Sequence, residues 1–171
     1  MSKDVANLKG FTREQFASRF RYDPGTGNLY RTFNARWGHS EDRLVTTRTA
    51  HGYIKVSFDR VAFVAHRVIW LMVYGTVPDE IDHINGDTAD NRLENLRPCT
   101  HAENSRNTRL RSDNTSGIKG VTLAKKAGDP WLAKIRADGR TVHLGYHATK
   151  EQAAAAYAAA AAVYHGEFAR L

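Results

Sequence analysis

The chain has 171 residues, 42% hydrophobic and 25% charged, with 25 Lys and Arg against 18 Asp and Glu for a net charge of +7. That is ordinary globular composition, enough for one domain or two small ones, and unlike a disordered, collagenous or membrane-spanning chain. A single cysteine, Cys99, excludes an internal disulfide framework and a cysteine-rich zinc knuckle.

The basic balance favours a polyanionic partner, most often nucleic acid. Positive charge is shared along the chain, net +4 over residues 1–112 and +3 over 113–171. The turn-rich stretch Ser112–Ser116 between them reads as a linker. The first nine residues lack the apolar run of a signal peptide, and the Ala-rich run 153–163 is too short to span a bilayer. A cytoplasmic protein without a membrane partner is expected.

In chain order, Thr12 and Gln15 form a capping box that opens a short helix with Phe16 and Phe20 at i, i+4. Asp23-Pro24-Gly25-Thr26-Gly27 reads as a turn between Phe20-Arg21-Tyr22 and Leu29-Tyr30-Arg31. Residues 34–50 are polar and give no assignment. Tyr53, Ile54, Val56 and Phe58 suggest a strand, and Asp59-Arg60 a tight turn into Val61–Val64. Ala65–Tyr74 is apolar enough for a buried helix, stopped by Gly75 with Pro78 beyond. Ile81–Ile84 reads as a short strand. Thr100 and Glu103, a second capping box, start a helix running to about Arg109, with His101, Asn104 and Asn107 on one face.

The second block is expected to hold strands at Gly117–Leu123, Trp131–Ala137 and Arg140–Gly145, with an Asp138-Gly139 hairpin turn. A helix follows, capped by Thr149 and Gln152 and stopped by Gly166. Alternation puts Trp131, Ala133, Ile135, Val142 and Leu144 on an inner face. Lys119, Thr122, Lys134, Arg136, Thr141 and His143 fall on a polar outer face. Trp131 and Tyr157 read as core.

Polar residues in the later part of the first block form a pattern. Asp82-His83, then Asn95, then Asn104, set within Ala-His-Arg-Val-Ile-Trp, Asp-His-Ile-Asn-Gly-Asp and Asn91–Arg97, resembles the phage and group-I-intron type of HNH endonuclease over roughly residues 66–107. The chemistry suits these residue types. Phosphodiester hydrolysis needs an activated water, a cation on the phosphate, and positioning. A neutral His is the natural base near pH 7, and a carboxylate with an amide oxygen suits Mg²⁺ or Mn²⁺. The resemblance implies that His83 is the general base, that Asp82 and Asn104 hold one divalent metal, and that Asn95 hydrogen-bonds in the loop and orients His83. No structural zinc is expected.

Successive strand residues point to opposite faces. Asp82 and His83 therefore share a site only if the backbone is bulged or the strand ends there, and an irregularity is expected. If the strand is regular, one of the two roles is wrong. His101 reads as active-site support, on a metal or the scissile phosphate, or as a solvated helix residue. Asn107 is a weaker candidate of the same kind. Asp87 reads as a turn residue and His66 as a packed or hydrogen-bonded side chain. Arg67 and Arg97 read as phosphate contacts or solvated surface. His39, His51 and His165 show no pattern, and Cys99 reads as a small buried side chain.

Residues 116–171 resemble the Apetala-two/ethylene-response-factor DNA-binding domain. The match lies in Ser116–Val121, Trp131–Arg136, Val142–Gly145, Thr149–Tyr157 and Tyr164–Leu171. That resemblance implies a three-stranded sheet, backed by one helix, in a DNA major groove. The family usually has several Arg on its first strand and a Trp where this chain has His143, so weaker base discrimination is expected.

The expected architecture is α+β. It comprises a ββα-metal (HNH) nuclease domain with flanking strands and helices at 1–112, and a three-stranded antiparallel sheet on one helix at 113–171. The expected function is metal-dependent hydrolysis of double-stranded DNA by a homing-type nicking enzyme. A monomer is expected, with a dimer as alternative, in the cytoplasm of a bacterial host if the chain is phage-encoded. The rivals are a non-catalytic DNA-binding protein with a vestigial nuclease fold, and a structure-specific or RNA-processing nuclease.

Overall fold

Tight turns built from left-handed residues organise the first part of the chain. A computed structural model describes residues 7–32, 41–108, 110, 112–124, 128 and 130–169, and the chain divides into two compact units, 1–101 and 102–171. His39, Arg109, Arg111, Lys125 and Lys126 lie outside the described residues.

In the first unit, β1 (Asn7–Leu8) and β2 (Phe11–Thr12) form a hairpin over Lys9 and Gly10, both at positive φ. Thr12 then caps α1 (Arg13–Ala17), and both capping-box hydrogen bonds are present. The helix ends before Phe20, which belongs instead to β3 (Phe20–Asp23), paired antiparallel with β4 (Asn28–Arg31). Ser18 and Arg19 turn the chain back through hydrogen bonds to Glu14 O and Phe16 O, so the i, i+4 pair of phenylalanines spans a helix and a strand. Both rings are fully buried all the same. Within the unassigned 34–50 stretch, β5 (Arg43–Leu44) adds to the edge of β4.

β6 (Lys55–Phe58) and β7 (Val61–Val64) follow, joined by Asp59 and Arg60 at φ 46° and 66°. That geometry matches the right-handed strand twist of a two-residue hairpin. α2 (Ala65–Tyr74) runs as the sequence predicts and ends at left-handed Gly75. Phe11, Phe16, Phe20, Phe58 and Phe63 meet in tilted and edge-on pairs 5.0–6.5 Å apart, forming the centre of this core with Val68, Ile69 and Leu71 of α2.

A smaller apolar cluster carries the site. Trp70 of α2 packs with Ile81 and Leu96, which lie on β8 (Glu80–His83) and β9 (Leu96–Cys99). β8 starts and ends one residue earlier than expected. Arg67 of α2 donates to Pro78 O and Asp79 O, both at 2.9 Å, and so fixes the chain just ahead of β8. Its guanidinium is an internal brace, which neither sequence reading of it anticipated.

In the second unit, β10 (Val121–Leu123), β11 (Trp131–Ala137) and β12 (Arg140–His147) form an antiparallel sheet in that order. β10 starts at Val121 rather than Gly117. Residues 114–118 are held instead as a turn around buried Ser116, whose hydroxyl lies 2.7 Å from Val121 O. β12 runs on to His147, with a register shift opposite Ala133 and Lys134.

α4 (Lys150–His165) has its predicted capping box and lays Ala153, Tyr157 and Ala161, one buried i, i+4, i+8 row, against Val121, Ala133 and Ile135. Gly120, at φ +71°, lies under the Tyr157 ring, where a Cβ would collide with the ring and stand 2.5 Å from Lys134 O. Only glycine fits there. No helix of the described residues is long and apolar enough to cross a membrane.

Candidate active site

The β8–β9 hairpin places the central pair. Its register runs unbroken, Asp82 opposite Arg97 and His83 opposite Leu96, and β8 ends at His83. No bulge interrupts it, so the strand end is the irregularity present. The two side chains have different surroundings, as the pleat requires.

Asp82 is 5% exposed, and its Oδ2 accepts from Arg97 Nε at 3.0 Å and Nη2 at 2.7 Å. Arg97 is therefore neither solvated nor bare of a partner, since its guanidinium closes on the carboxylate across the hairpin. A buried carboxylate needs such a partner to stay charged.

His83, 3% exposed, lies against aromatic neighbours. Its ring is edge-on to His66 at 4.9 Å and tilted to Tyr53 at 5.8 Å, and His83 Nε2 is 3.1 Å from Asn91 Oδ1. Burial pushes the His83 pKa down, with the Asn91 hydrogen bond opposing it. Burial also pushes His66 down to about 3, helped by the charge His83 would carry. Both imidazoles are thereby held neutral near pH 7, which keeps His83 able to accept a proton.

The loop between the strands is tied by amides and one ion pair. Asn95 Oδ1 accepts from Asn85 N at 2.9 Å, and Asn95 Nδ2 donates to Asp90 O at 2.8 Å. Asp90 accepts from Asn85 Nδ2 at 2.9 Å and pairs with Arg92, whose guanidinium holds the Asp90 carboxyl near 2. Asp87 accepts from Ala89 N, as a turn residue does. Asn95 thus secures the loop as expected, while the side chain that meets the His83 ring at Nε2 is Asn91. The sequence reading gave Asn91 no separate role. The signal available was its place four residues ahead of Asn95.

His101 opens α3 (His101–Arg106) with a side chain 88% exposed, its Nδ1 2.7 Å from Glu80 Oε1. Asn104 lies half-buried on the same helix, beyond the division between the units, and Asn107 is buried just after it. The helix stops at Arg106, short of Arg109. Asn and Ser are poor helix interiors, Thr108 Oγ1 donates to Ser105 O, and Lys119 Nζ donates to Arg106 O at 2.7 Å and Thr108 O at 3.0 Å. Lys119, expected on the outer sheet face, is thus engaged with the end of α3. Four of the other outer-face residues are cross-strand neighbours. Lys134 pairs with His143 and Arg136 with Thr141, all four exposed, and half-buried Thr122 pairs with Leu132.

The metal donors named from sequence are hard oxygens, a carboxylate and an amide. That set suits a cation such as Mg²⁺, which keeps several waters and needs few protein ligands. Among the described residues no group of three or more His, Cys, Asp or Glu could hold a metal. A cation at Asp82 would share its carboxylate with Arg97.

Comparison with known proteins gives these side chains a context. Residues 63–106 match the HNH endonuclease family, containing Asp82, His83, Asn95 and Asn104. Protein 3.8 of Escherichia phage T7 is 33% identical over 107 residues, which are 61% of this chain and 87% of that protein. An uncharacterized HNH endonuclease of Acanthamoeba polyphaga mimivirus is 33% identical over 117 residues, 67% of this chain but only 59% of the relative. No solved structure matches. Residues 63–106 thus carry an HNH endonuclease motif, and the chain belongs to one family with Protein 3.8 of phage T7, most of whose length it spans.

Proposed function

We propose that the protein is a metal-dependent DNA endonuclease that hydrolyses phosphodiester bonds with His83 as general base. The observation that carries this reading is a buried histidine, kept neutral and hydrogen-bonded, beside a buried carboxylate in the matched segment. Asp82 and Asn104 would hold one divalent ion, Mg²⁺ or Mn²⁺. When bound, such an ion supplies positive charge against the phosphate and the departing oxygen. His83 takes the proton from the attacking water, and Asn95 keeps the loop in place by its two hydrogen bonds. His101, exposed and leaning on Glu80, supports the site from its rim.

One such site cuts one strand, so a monomer nicks in the manner of a homing enzyme. The second unit would act as the DNA reader, an Apetala-two-like sheet presenting Thr122, Lys134, Arg136, Thr141 and His143 to double-stranded DNA. Arg136 can reach a guanine edge, whereas lysine and threonine more often hold phosphate. A single arginine on that patch supports loose sequence preference. Lys119 supports the same face indirectly, by fixing the chain ahead of β10.

The decisive experiment is supercoiled-plasmid cleavage with Mg²⁺ or Mn²⁺ against EDTA, in parallel with His83→Ala of matched circular dichroism. Metal-dependent nicking that falls about 10²–10⁴-fold in the variant supports the proposal. One observation favours the binding-only rival: the Asp82 carboxylate already carries Arg97. Tight, metal-independent DNA binding without cleavage on any plasmid would select that rival.

A further inference from the structure

We infer that Asn91 is the positioning residue for His83: it holds the proton on Nε2 and so makes Nδ1 the atom that receives the proton of water. The inference deepens the nuclease reading and rests on it for its catalytic purpose.

The Asn91 amide has a defined orientation. Its Nδ2 donates to Ala89 O at 3.4 Å, which turns Oδ1 toward His83 Nε2, 3.1 Å away. An amide oxygen only accepts, so Nε2 must carry a hydrogen. In a neutral imidazole one nitrogen donates and the other accepts, and Nδ1 is then the basic one. Asn91 is 3% exposed, which shields this bond from competing water.

The backbone of Asn91 is itself clamped, by a part of the chain outside the matched motif. Tyr22 Oη on β3 donates to Asn91 O at 3.0 Å. Gly27, at φ +74° in the β3–β4 turn, lies so close that a Cβ would stand 2.6 Å from Arg92 N and 2.9 Å from the Asn91 carbonyl carbon. The β3–β4 hairpin thus presses on the residue that sets the His83 tautomer. Asn95 has a separate task, tying Asn85 to Asp90 within the loop.

The test joins a spectrum with kinetics. Long-range ¹H–¹⁵N correlation of the imidazole nitrogens of the full-length protein should show His83 with a protonated Nε2 and an unprotonated Nδ1. Asn91→Leu should shift both nitrogens toward exchange-averaged values and lower kcat about 10- to 100-fold, the range for loss of an orienting partner at a catalytic group. KM for DNA should stay within about twofold. Asn91→Asp keeps an acceptor oxygen and should retain the wild-type tautomer and most of kcat.

A wild-type spectrum with the proton on Nδ1 would overturn the inference even if Asn91→Leu fails to fold. So would an Asn91→Leu protein with unchanged tautomer and kcat. The expected spectra from a protein that cuts no DNA would keep Asn91's hold on the ring and overturn the nuclease reading instead.

Discussion

The β8–β9 hairpin and the β10–β12 sheet are both small antiparallel structures with polar side chains at the residues of interest, yet they treat those side chains in opposite ways. In the hairpin, Asp82, His83, Asn91 and Asn95 are all buried, and each is held by a hydrogen bond or an ion pair. In the sheet, Lys134, Arg136, Thr141 and His143 are exposed above a core of Ala, Val and Ile. The contrast fits the two kinds of work proposed for them. Proton transfer needs one protonation state and one ring orientation, which burial and fixed partners impose. Contact with a polyanion needs reach and charge, which exposure allows. The first design makes fold stability and chemistry inseparable, and the second leaves them independent.

The sharpest way to break this comparison is to remove Arg97. Arg97→Ala leaves the Asp82 carboxylate buried without its cation and should cost about 3–5 kcal/mol, read by urea denaturation. Amide exchange should locate the loss in β8 and β9 while β11 and β12 stay protected. Equal loosening of both units would erase the distinction.

The second unit should be most sensitive in its packing rather than in its polar face. Gly120→Ala forces a positive-φ residue against the Tyr157 ring, and about 1–3 kcal/mol of destabilisation is expected from such overpacking. Exchange protection in β10–β12 should fall, with the hairpin unaffected.

Acid should act on the first unit through His66. Its folded pKa of about 3 lies below the ordinary 6.5. The unfolded chain therefore binds the proton first, and stability present above pH 6.5 is lost as pH falls toward 3. The slope is at most about 1.4 kcal/mol per pH unit for this one group. Denaturation midpoints of wild type and His66→Phe across that range check it, and parallel curves would refute it.

The smallest structural effect belongs to the outer sheet face. Lys134→Ala and Arg136→Ala should change stability by under about 0.5 kcal/mol. Each should nevertheless lower the salt slope of DNA binding by about one for every phosphate that the side chain had neutralised. Binding unchanged in the double variant would remove the sheet from the DNA interface.

Much of the architecture is legible without coordinates because its signals are local. Thr12 with Gln15 and Thr149 with Gln152 cap helices, Gly75 ends one, and Asp59-Arg60 closes a hairpin, each through contacts a few residues apart. The errors occur where distant groups decide. α3 ends early at Arg106, where Lys119 from beyond the turn-rich stretch reaches its last carbonyls. Phe20 carries two local signals, an i, i+4 spacing from Phe16 and a place beside the Asp23–Gly27 turn, and the pairing with Arg31 decides for the strand. For the site, the resemblance to the HNH motif is what singles out Asp82, His83, Asn95 and Asn104, and the partners of Asp82 and His83 are not readable from it.

Local chemistry along the chain thus settled most of the helices and hairpins, the division of polar and apolar faces in β11, and the residues that match a nuclease motif. Tertiary structure alone decided that Arg97 closes on Asp82, that Asn91 meets His83, and that His66 is kept neutral behind it. Motif spacing records which side chains are present. Burial and hydrogen-bond partners, which set charge and tautomer, arise only when residues far apart in the chain exclude water from the same place.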